Sequence, residues 1–545
     1  MKKRIISLLM AGIMLMSVFT GCGKKGDDKK ANVDLEGVTL TVGLPMSANV
    51  TSFEDNAFTK YIEDSLNIKL KFVSFTTSES EYSQQLSMMV TGNEKLPDVI
   101  WGFMGMSHYT SRQFGEDGYF IDLKDMMKDY APNYQEQYKK LDEKQQKMID
   151  EKIVNPSNGA IYGMPYLAVE TVDNMQNAMK INKTWLDKLG LQIPTTVEEL
   201  NVVLEAFATK DPNGNGKADE LPMLSIASGL TNVSGYLINA YCYHEVTQPF
   251  NVTDGKVWDS ATSDEYRQGL IYANELCKKG YFSDLCFTLT SSQEFKTMVT
   301  PSDNIARVGI WCGNPAIVTS TTSEILDQYV AMDSLEAETD KGGYTVVREE
   351  NLTPTSFITK DCKSPEAAMR FLDFFYLDET VTRMRFGEKG VDWEYAEGIS
   401  ITGEASKIQV VNGDAFFKGN STWCVLGNCI LTPENYYSIM NDAATPRDKE
   451  SDRLNQEAWK QMHSDRVNEE VLGTLIYTNE EYEVRSEYWG MYLDYVAEAR
   501  DLFITGKLDP SSDADWQDYT TTLKNLGQKE LLEVAQDAYD RRMGK

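Results

Sequence analysis

Between Val38 and Trp101 the chain alternates strand-like and helix-like stretches, and that alternation leaves few folds open. Val38-Thr39-Leu40-Thr41-Val42 is β-rich and runs into Gly43-Leu44-Pro45. Asn56 to Leu66 is amphipathic, Ile68 to Phe75 alternates at the period of a strand, and Glu81 to Val90 carries Leu86, Met88, Met89 and Val90 at helical spacing. Pro97-Asp98-Val99-Ile100-Trp101 is a short apolar strand entering the Gly102-Phe103-Met104-Gly105 loop. Strand, helix, strand, helix, strand predicts a parallel sheet with helices on its faces. Ligands of such sheets bind beyond the carboxyl ends of the strands. The loops after Val42 and Ile100 are therefore expected near a site.

The same alternation continues downstream. Ile161-Tyr162-Gly163-Met164-Pro165-Tyr166 is a strand after an Asn158-Gly159 turn, and Asn182 to Leu189 is a short helix with Gly190 as its C-cap. Thr196 and Glu199 have capping-box spacing and start a helix that runs to about Ala208. Ser364-Pro365-Glu366 is a further helix start: cap, proline in the first turn, acid at the positive end of the dipole. Pro433 to Met543 reads as mostly helical, with Trp459, Tyr488, Trp489 and Trp516 among its apolar positions. No internal repeat is visible.

The first thirty residues set the compartment. Lys2, Lys3 and Arg4 precede an apolar run from Ile5 to Thr20, then Gly21-Cys22 and a Lys/Asp-rich stretch to Lys30. A charged start, a short apolar core and a small-residue cleavage site describe a secretory signal. The run is short for a bilayer, which takes about 20 residues; an uncleaved anchor helix is the alternative. Phe19-Thr20-Gly21-Cys22 resembles the lipobox of bacterial lipoproteins, with Phe19 where leucine is usual. That resemblance implies acylation of Cys22 and a flexible polar tether holding a soluble domain at a membrane surface.

Charge and cysteine use narrow the partners. The 545 residues carry a net charge of −30, which argues against nucleic acid, because phosphate binding needs a positive field. After Cys22 the cysteines are Cys242, Cys277, Cys286, Cys312, Cys362, Cys424 and Cys429, an odd number with no CxxC spacing. Cys424 and Cys429 are close enough to pair; the alternative is that most are small buried apolar residues. His108, His244 and His463 are the only histidines, so a zinc cluster is not expected.

The landmarks also occur in a recognisable order. The lipobox, Leu96-Pro97-Asp98-Val99-Ile100, Ala160-Ile161-Tyr162-Gly163-Met164-Pro165, Trp185-Leu186-Asp187-Lys188-Leu189-Gly190 and Asp211-Pro212-Asn213-Gly214-Asn215-Gly216 come first. Lys363-Ser364-Pro365-Glu366-Ala367-Ala368 and the ending Ala538-Tyr539-Asp540-Arg541-Arg542 follow. In this order they resemble the extracellular solute-binding proteins of family 1, in the long lipoprotein branch that includes alginate-oligosaccharide-binding proteins. The resemblance implies an α/β, two-lobed periplasmic-binding-protein-like fold of the class II type, with a ligand cleft between the lobes and a helical C-terminal region. It implies a monomer on the extracellular face of the bacterial cell membrane that hands a carbohydrate to an ABC transporter permease.

On this reading residues 1–21 are the signal peptide and 22–35 the lipidated cysteine and tether. Residues 36–165 with 333–395 form the N-terminal lobe, and 166–332 with 396–545 the C-terminal lobe. The crossings fall near Pro165, at Tyr329-Val330-Ala331-Met332 and near Tyr395.

A metal loop is the sharpest local motif. From Asp211 to Glu220, oxygen side chains stand at positions 1, 3, 5 and 9, Gly216 takes the sharp turn, and Lys217 offers its backbone carbonyl. This is the start of an EF-hand-type loop for Ca²⁺. Position 12 is Pro222, so Glu220 substitutes for the usual glutamate. The resemblance gives the ligand set as Asp211, Asn213, Asn215, Lys217, Asp219 and Glu220. A Gly/Asn-rich surface turn without an ion is the alternative.

Sugar sites stack aromatic rings on apolar sugar faces and bond the hydroxyls with polar side chains, and nine Trp with 28 Tyr suit such a surface. By position the candidates are Trp101 and Phe103 past a strand end, Tyr166 and Glu170 beyond the first crossing, and Trp311 and Asn314 at a glycine-flanked strand-to-loop junction. Trp393 and Tyr395 at the later crossing, and Trp423 in a Gly/Cys-framed loop, complete the set. For each, core packing is the competing role. Other functions stay open: a peptide or other non-sugar ligand, a sensor without a permease, or a secreted carbohydrate-active enzyme. No GxSxG, HExxH or Walker-type loop is present, and no catalytic residue is assigned.

Overall fold

The strands form two principal sheets, and the chain passes back and forth between them. In the computed structural model the described residues are 33–76, 79–169, 175, 179–227, 232–318, 324–339, 341–347, 351–400, 403–412, 420–440, 446–468 and 470–545. In chain order the strands are β1 (Thr39–Pro45), β2 (Lys69–Phe75), β3 (Val99–Ile100), β4 (Gly163–Ala168), β5 (Met179–Asn182), β6 (Leu221–Leu224) and β7 (Phe250–Thr253). They continue with β8 (Lys256–Asp259), β9 (Val308–Cys312), β10 (Tyr329–Met332), β11 (Asn351–Ile358), β12 (Trp393–Ile399), β13 (Ala405–Val410) and β14 (Ile430–Leu431).

The first sheet has the order β14-β4-β11-β3-β1-β2 and the second β10-β5-β9-β6. The expected parallel unit is there: β1 pairs in parallel with β2 and β3. The helices Ala57–Leu66 and Glu79–Thr91 connect these strands. Asn56 caps the first by accepting from Phe58 N, and Asn67 ends it in the left-handed region. Leu40, Val42 and Leu44 point to one face and join a large core, while Phe75, Ile100 and Phe357 build a smaller core on the other. A Cβ on Gly43 would lie 2.7 Å from the Phe75 ring, so only glycine fits that close packing. Asp98 binds the neighbouring strand, accepting from Thr41 N at 2.8 Å and Thr41 Oγ1 at 2.6 Å, which makes it a sheet clamp.

The second sheet has its own core, from Met179 to Leu335 and again from Leu454 to Tyr539. The expected helix punctuation holds there. Asn182 caps Lys183–Leu189, Gly190 closes it at φ 69°, and Thr196 caps Val197–Thr209. Ser364, by contrast, makes no side-chain capping bond to its helix. The C-terminal region is helical over Pro446–Met462, Asn479–Ile504, Asp513–Asn525 and Gln528–Arg542, with a non-helical stretch before Asn479.

Two observations differ from the sequence expectations. Trp423, Cys429, Ile430, Leu431 and Tyr436 pack into the first core, although everything after 395 was assigned to the second lobe. Trp423 wedges its ring against Phe58 and Phe72 from the β1–β2 unit, which draws this segment back. The seven described cysteines are all free thiols, so Cys424 and Cys429 do not pair. Residues 1–32, with Cys22, lie outside the described residues; among those described, no helix is long and apolar enough to cross a membrane.

Candidate functional site

A cavity of about 350 Å³ opens between the two cores. From the first side it is lined by Ser107, His108, Tyr109 and Arg112, on the helix that follows β3. From the second side come Glu245, Thr247 and Gln248, the segment from Val471 to Tyr477, and Tyr482, Arg485 and Trp489 on the helix Asn479–Ile504. Its size lies in the ordinary range of small-ligand sites. It also lies where a doubly wound sheet puts a ligand, beyond the carboxyl end of β3.

Each wall is fixed by local chemistry. Ser107 caps the helix His108–Glu116. Thr478 and Glu481 form a reciprocal capping box that starts the Asn479–Ile504 helix. On that helix Tyr482, Arg485 and Trp489 share one face by their i, i+3, i+7 spacing. Tyr109 and Tyr482 stack across the gap, with centroids 3.5 Å apart and planes 8° from parallel. Arg485 lies over the Trp489 ring at 4.6 Å and the Tyr477 ring at 5.4 Å. Arg112 donates from Nε to His108 O at 3.1 Å and from Nη2 to Tyr477 O at 2.9 Å, so one guanidinium spans both sides. Burial, ahead of the Lys152 and Arg112 charges, pushes the His108 pKa down to about 4, which keeps it neutral near pH 7.

Most residues singled out from the sequence lie elsewhere. Trp101, Phe103, Trp311, Trp393 and Trp423 are completely buried, and Tyr166 nearly so. Trp101 packs against Phe375 and, edge to face, against Trp423, with ring centroids 4.9 Å apart in each case, and Gly427 approaches its ring so closely that a Cβ there would clash at 2.2 Å. Phe103 sits 4.1 Å from Tyr82. Trp311 packs on Tyr329 and carries Lys180 over its ring at 5.1 Å. Trp393 donates from Nε1 to Gly387 O and Trp423 to Thr59 Oγ1. These rings face the cores and offer no free surface to a sugar. Tyr395 is exposed, bonded to Glu379 with Lys389 over its ring, away from the cavity. Asn314 is half-buried after β9, and Glu170 lies outside the described residues.

Sequence position missed Tyr109, Tyr477 and Tyr482, and it read Trp489 as a helix-packing residue. The usable signal was the aromatic–cation–aromatic spacing at the start of the Asn479–Ile504 helix.

The Asp211–Glu220 loop turns tightly on itself. Asp211, Gly214 and Gly216 all take positive φ. Gly216 N donates to Asp211 Oδ2, Asn215 N to Asn213 Oδ1, and Lys217 N to Asn215 Oδ1. Asp211 Oδ1 and Glu220 Oε1 are buried without a hydrogen-bond partner. Burial, then the Asp211 and Asp219 charges, raises the Glu220 pKa. Two orphaned carboxylate oxygens beside two asparagine amides suit a hard, oxygen-seeking cation. Asp219 is turned toward Arg307 at 3.1 Å. Among the described residues no group of three or more His, Cys, Asp or Glu side chains closes on a metal position.

Comparison with known proteins agrees with this architecture. Residues 47–274 match the model of the bacterial extracellular solute-binding proteins. The fructooligosaccharide ABC transporter substrate-binding protein FusA of Streptococcus pneumoniae is 27% identical over 294 residues; the match spans 50% of this chain and 51%, about half, of that relative. Lipoprotein LipO of Bacillus subtilis is 24% identical over 414 residues, covering 73% of this chain and 75% of LipO. FusA in complex with kestose superposes at a TM-score of 0.72 and 20% identity, over 93% of this chain and 99% of that one. An EF-hand mutant of FusA with fructo-nystose gives the same TM-score at 19% identity over the same shares. The alginate-binding protein AlgQ2 without calcium ion gives 0.64 at 20% identity, over 93% and 98%. Residues 47–274 therefore carry the sequence pattern of the bacterial extracellular solute-binding proteins, and over nearly its whole length the chain has the fold of FusA.

Proposed function

We propose that the chain is the lipid-anchored substrate-binding component of an ABC importer, that it captures an oligosaccharide outside the cell, and that Cys22 carries the anchor. The observation that carries the reading is the cavity between the two cores, walled by Tyr109, Tyr477, Tyr482 and Trp489 and edged by Arg112, Glu245, Gln248 and Arg485. Flat aromatic faces take the apolar faces of sugar rings, and the polar edge takes hydroxyls. Asn314 and Glu170 stay in the proposal as residues that follow strand ends. The lobes we propose are 36–169 with 351–440, and 179–335 with 454–545. Function as a monomer that docks on a permease belongs to the same reading.

Glu245 is the only carboxylate among the described residues lining the cavity, whereas glycoside hydrolysis uses two. We therefore propose binding without turnover. A thermal-shift screen against neutral and acidic oligosaccharides, peptides and amino acids tests this. A ligand at 100 times its Kd adds about 2.7 kcal/mol of stability. A saturable shift with one oligosaccharide class and no product is expected. A shift with peptides alone, or product formation, would overturn the reading.

We also propose that the Asp211–Glu220 loop holds a structural Ca²⁺, through side-chain oxygens of Asp211, Asn213, Asn215, Asp219 and Glu220 and the Lys217 carbonyl. The buried unpartnered oxygens of Asp211 and Glu220 support it. Bound there, the cation would neutralise the acids and fix the loop between the Val197–Thr209 helix and β6. Chelation is expected to lower the melting temperature while oligosaccharide binding persists. Unchanged melting in EDTA, with no metal in the purified protein, would remove the ion from the proposal.

A further inference from the structure

One side of the cavity is stopped by contacts between its two walls. On the His108–Glu116 helix, Tyr109, Arg112 and Glu116 share a face by their i, i+3, i+7 spacing. All three reach the second side. Tyr109 lies flat on Tyr482 with centroids 3.5 Å apart, Arg112 Nη2 donates to Tyr477 O at 2.9 Å, and Glu116 accepts from Asn479 Nδ2 at 3.0 Å. Farther along, Arg542 Nε stands 3.5 Å from Glu151 Oε2 on the Glu143–Ile153 helix. The lining follows the His108–Glu116 helix only as far as Arg112; Glu116, Asn479, Glu151 and Arg542 are outside it. The outer contacts therefore stand behind the inner ones, and the cavity ends at the Tyr109–Tyr482 pair. Elsewhere it is open to solvent.

The stacked rings are a barrier. A sugar ring inserted between them would need a gap of about 7 Å, two contact distances of about 3.5 Å each. The barrier is also backed from both sides. Glu116 is steadied by Asn155 Nδ2 at 2.7 Å. Residues 471–477, which have neither helix nor strand, are pinned by Arg542 Nη1 on Leu472 O at 3.0 Å and by Arg541 Nη2 on Ile476 O at 2.9 Å. Arg541 also grips Glu481, the residue before Tyr482, with both terminal nitrogens at 2.7 and 2.6 Å.

We propose that Tyr109 and Tyr482 are specificity-determining residues: their stacked rings close one end of the cavity, so that it takes an oligosaccharide by one terminal sugar seated against them and lets the rest of the chain run out through the open side. The proposal rests on the carbohydrate-capture reading above. A groove open at both ends accepts an internal stretch of a chain, whereas a groove stopped at one end reads a terminus. The volume of about 350 Å³ lies near the lower bound of small-ligand sites, so the enclosed part of the chain is short.

The test is titration calorimetry of the purified chain with maltotriose, cellotriose, xylotriose, mannotriose and kestose. Each is used free, with an adamantyl group on one terminal sugar, and with that group on the other. For a trisaccharide that binds, one capped form should lose about tenfold or more in affinity through the clash, while the other stays within about threefold of the free sugar. Tyr109→Ala and Tyr482→Ala, taken separately, should each bring the excluded form to within about threefold of the free sugar measured on the same variant. The readout is the ratio of capped to free affinity, which a general loosening of the cleft leaves unchanged. Melting curves establish that the variants are folded; either variant alone carries the test, and the wild-type comparison of the two capped forms needs neither. Caps that act equally at both ends, tolerated or excluded, would overturn the proposal and leave carbohydrate capture standing. Exclusion that persists in the folded variants would remove the two tyrosines from their role. Failure of every trisaccharide would overturn both readings.

Discussion

His244 is held with one ring proton and resists a second. Its ring is buried, with Nδ1 2.9 Å from Ser260 Oγ, and that hydroxyl spends its one hydrogen on Pro249 O at 2.8 Å. Nδ1 must therefore be the donor, which fixes the neutral tautomer. Burial, ahead of the Arg500 charge, pushes the pKa down to about 3. A histidine depressed on folding stabilises the native state above its unfolded value near 6.5, and that stability is lost as pH falls toward the folded value. Against a His244→Gln variant, the wild type is expected to lose about 2 kcal/mol of relative stability between pH 7 and pH 5, read from urea unfolding at each pH.

Single residues also show where sequence reading stops. The alternation that gave β1, β2 and β3 is local, and it was legible. Whether Trp101 faces ligand or core depends on Gly427 and Trp423, hundreds of positions downstream, and nothing in the local pattern carries that. Replacing Trp423 with alanine is expected to cost about 3–5 kcal/mol through loss of core packing, seen in chemical denaturation, with no specific effect on ligand contact.

At the scale of elements, the helix Asn479–Ile504 does two jobs. Its first turns present Tyr482, Arg485 and Trp489 to the cavity, and its middle docks on the second core through Tyr492. Thr478→Ala removes the cap, so about 1 kcal/mol of stability should be lost. Because fraying would loosen the cavity wall, ligand affinity should fall with it, which calorimetry reads. Deeper along the helix, the Tyr492 hydroxyl donates to buried Asp259, which also accepts from Gln528 on the last helix. Burial, against those donors, lifts the Asp259 pKa to about 6. An acid raised on folding contributes stability below its unfolded value near 4 that is lost as pH rises through 6. Tyr492→Phe deprives the ionised carboxylate most, so its cost, about 1–3 kcal/mol, should be larger at pH 7.5 than at pH 4.5. The caps at Asn182 and Thr196 were readable because capping is a rule of neighbours. The docking of this long helix was not, since Asp259 lies far away in sequence.

At the scale of the whole molecule, two cores share one chain, and their connections matter more than either core. The passage from β4 to β5 and the passage from β10 to β11 meet at one bridge among the described residues. Ala168 is opposite Asn351 in the first sheet, Met175 bridges to Val347 midway, and Met179 is opposite Met332 in the second. Ala458 and Met462 of the Pro446–Met462 helix pack on Met175 at that midpoint. Two passages tied at a bridge and backed by a packed helix resist torsion more than two separate threads would, and favour flexing across their width, as a leaf hinge does. Distances between label pairs placed on opposite lobes should then rise and fall together, so that any one of them, measured alone, reports how far the mouth stands open.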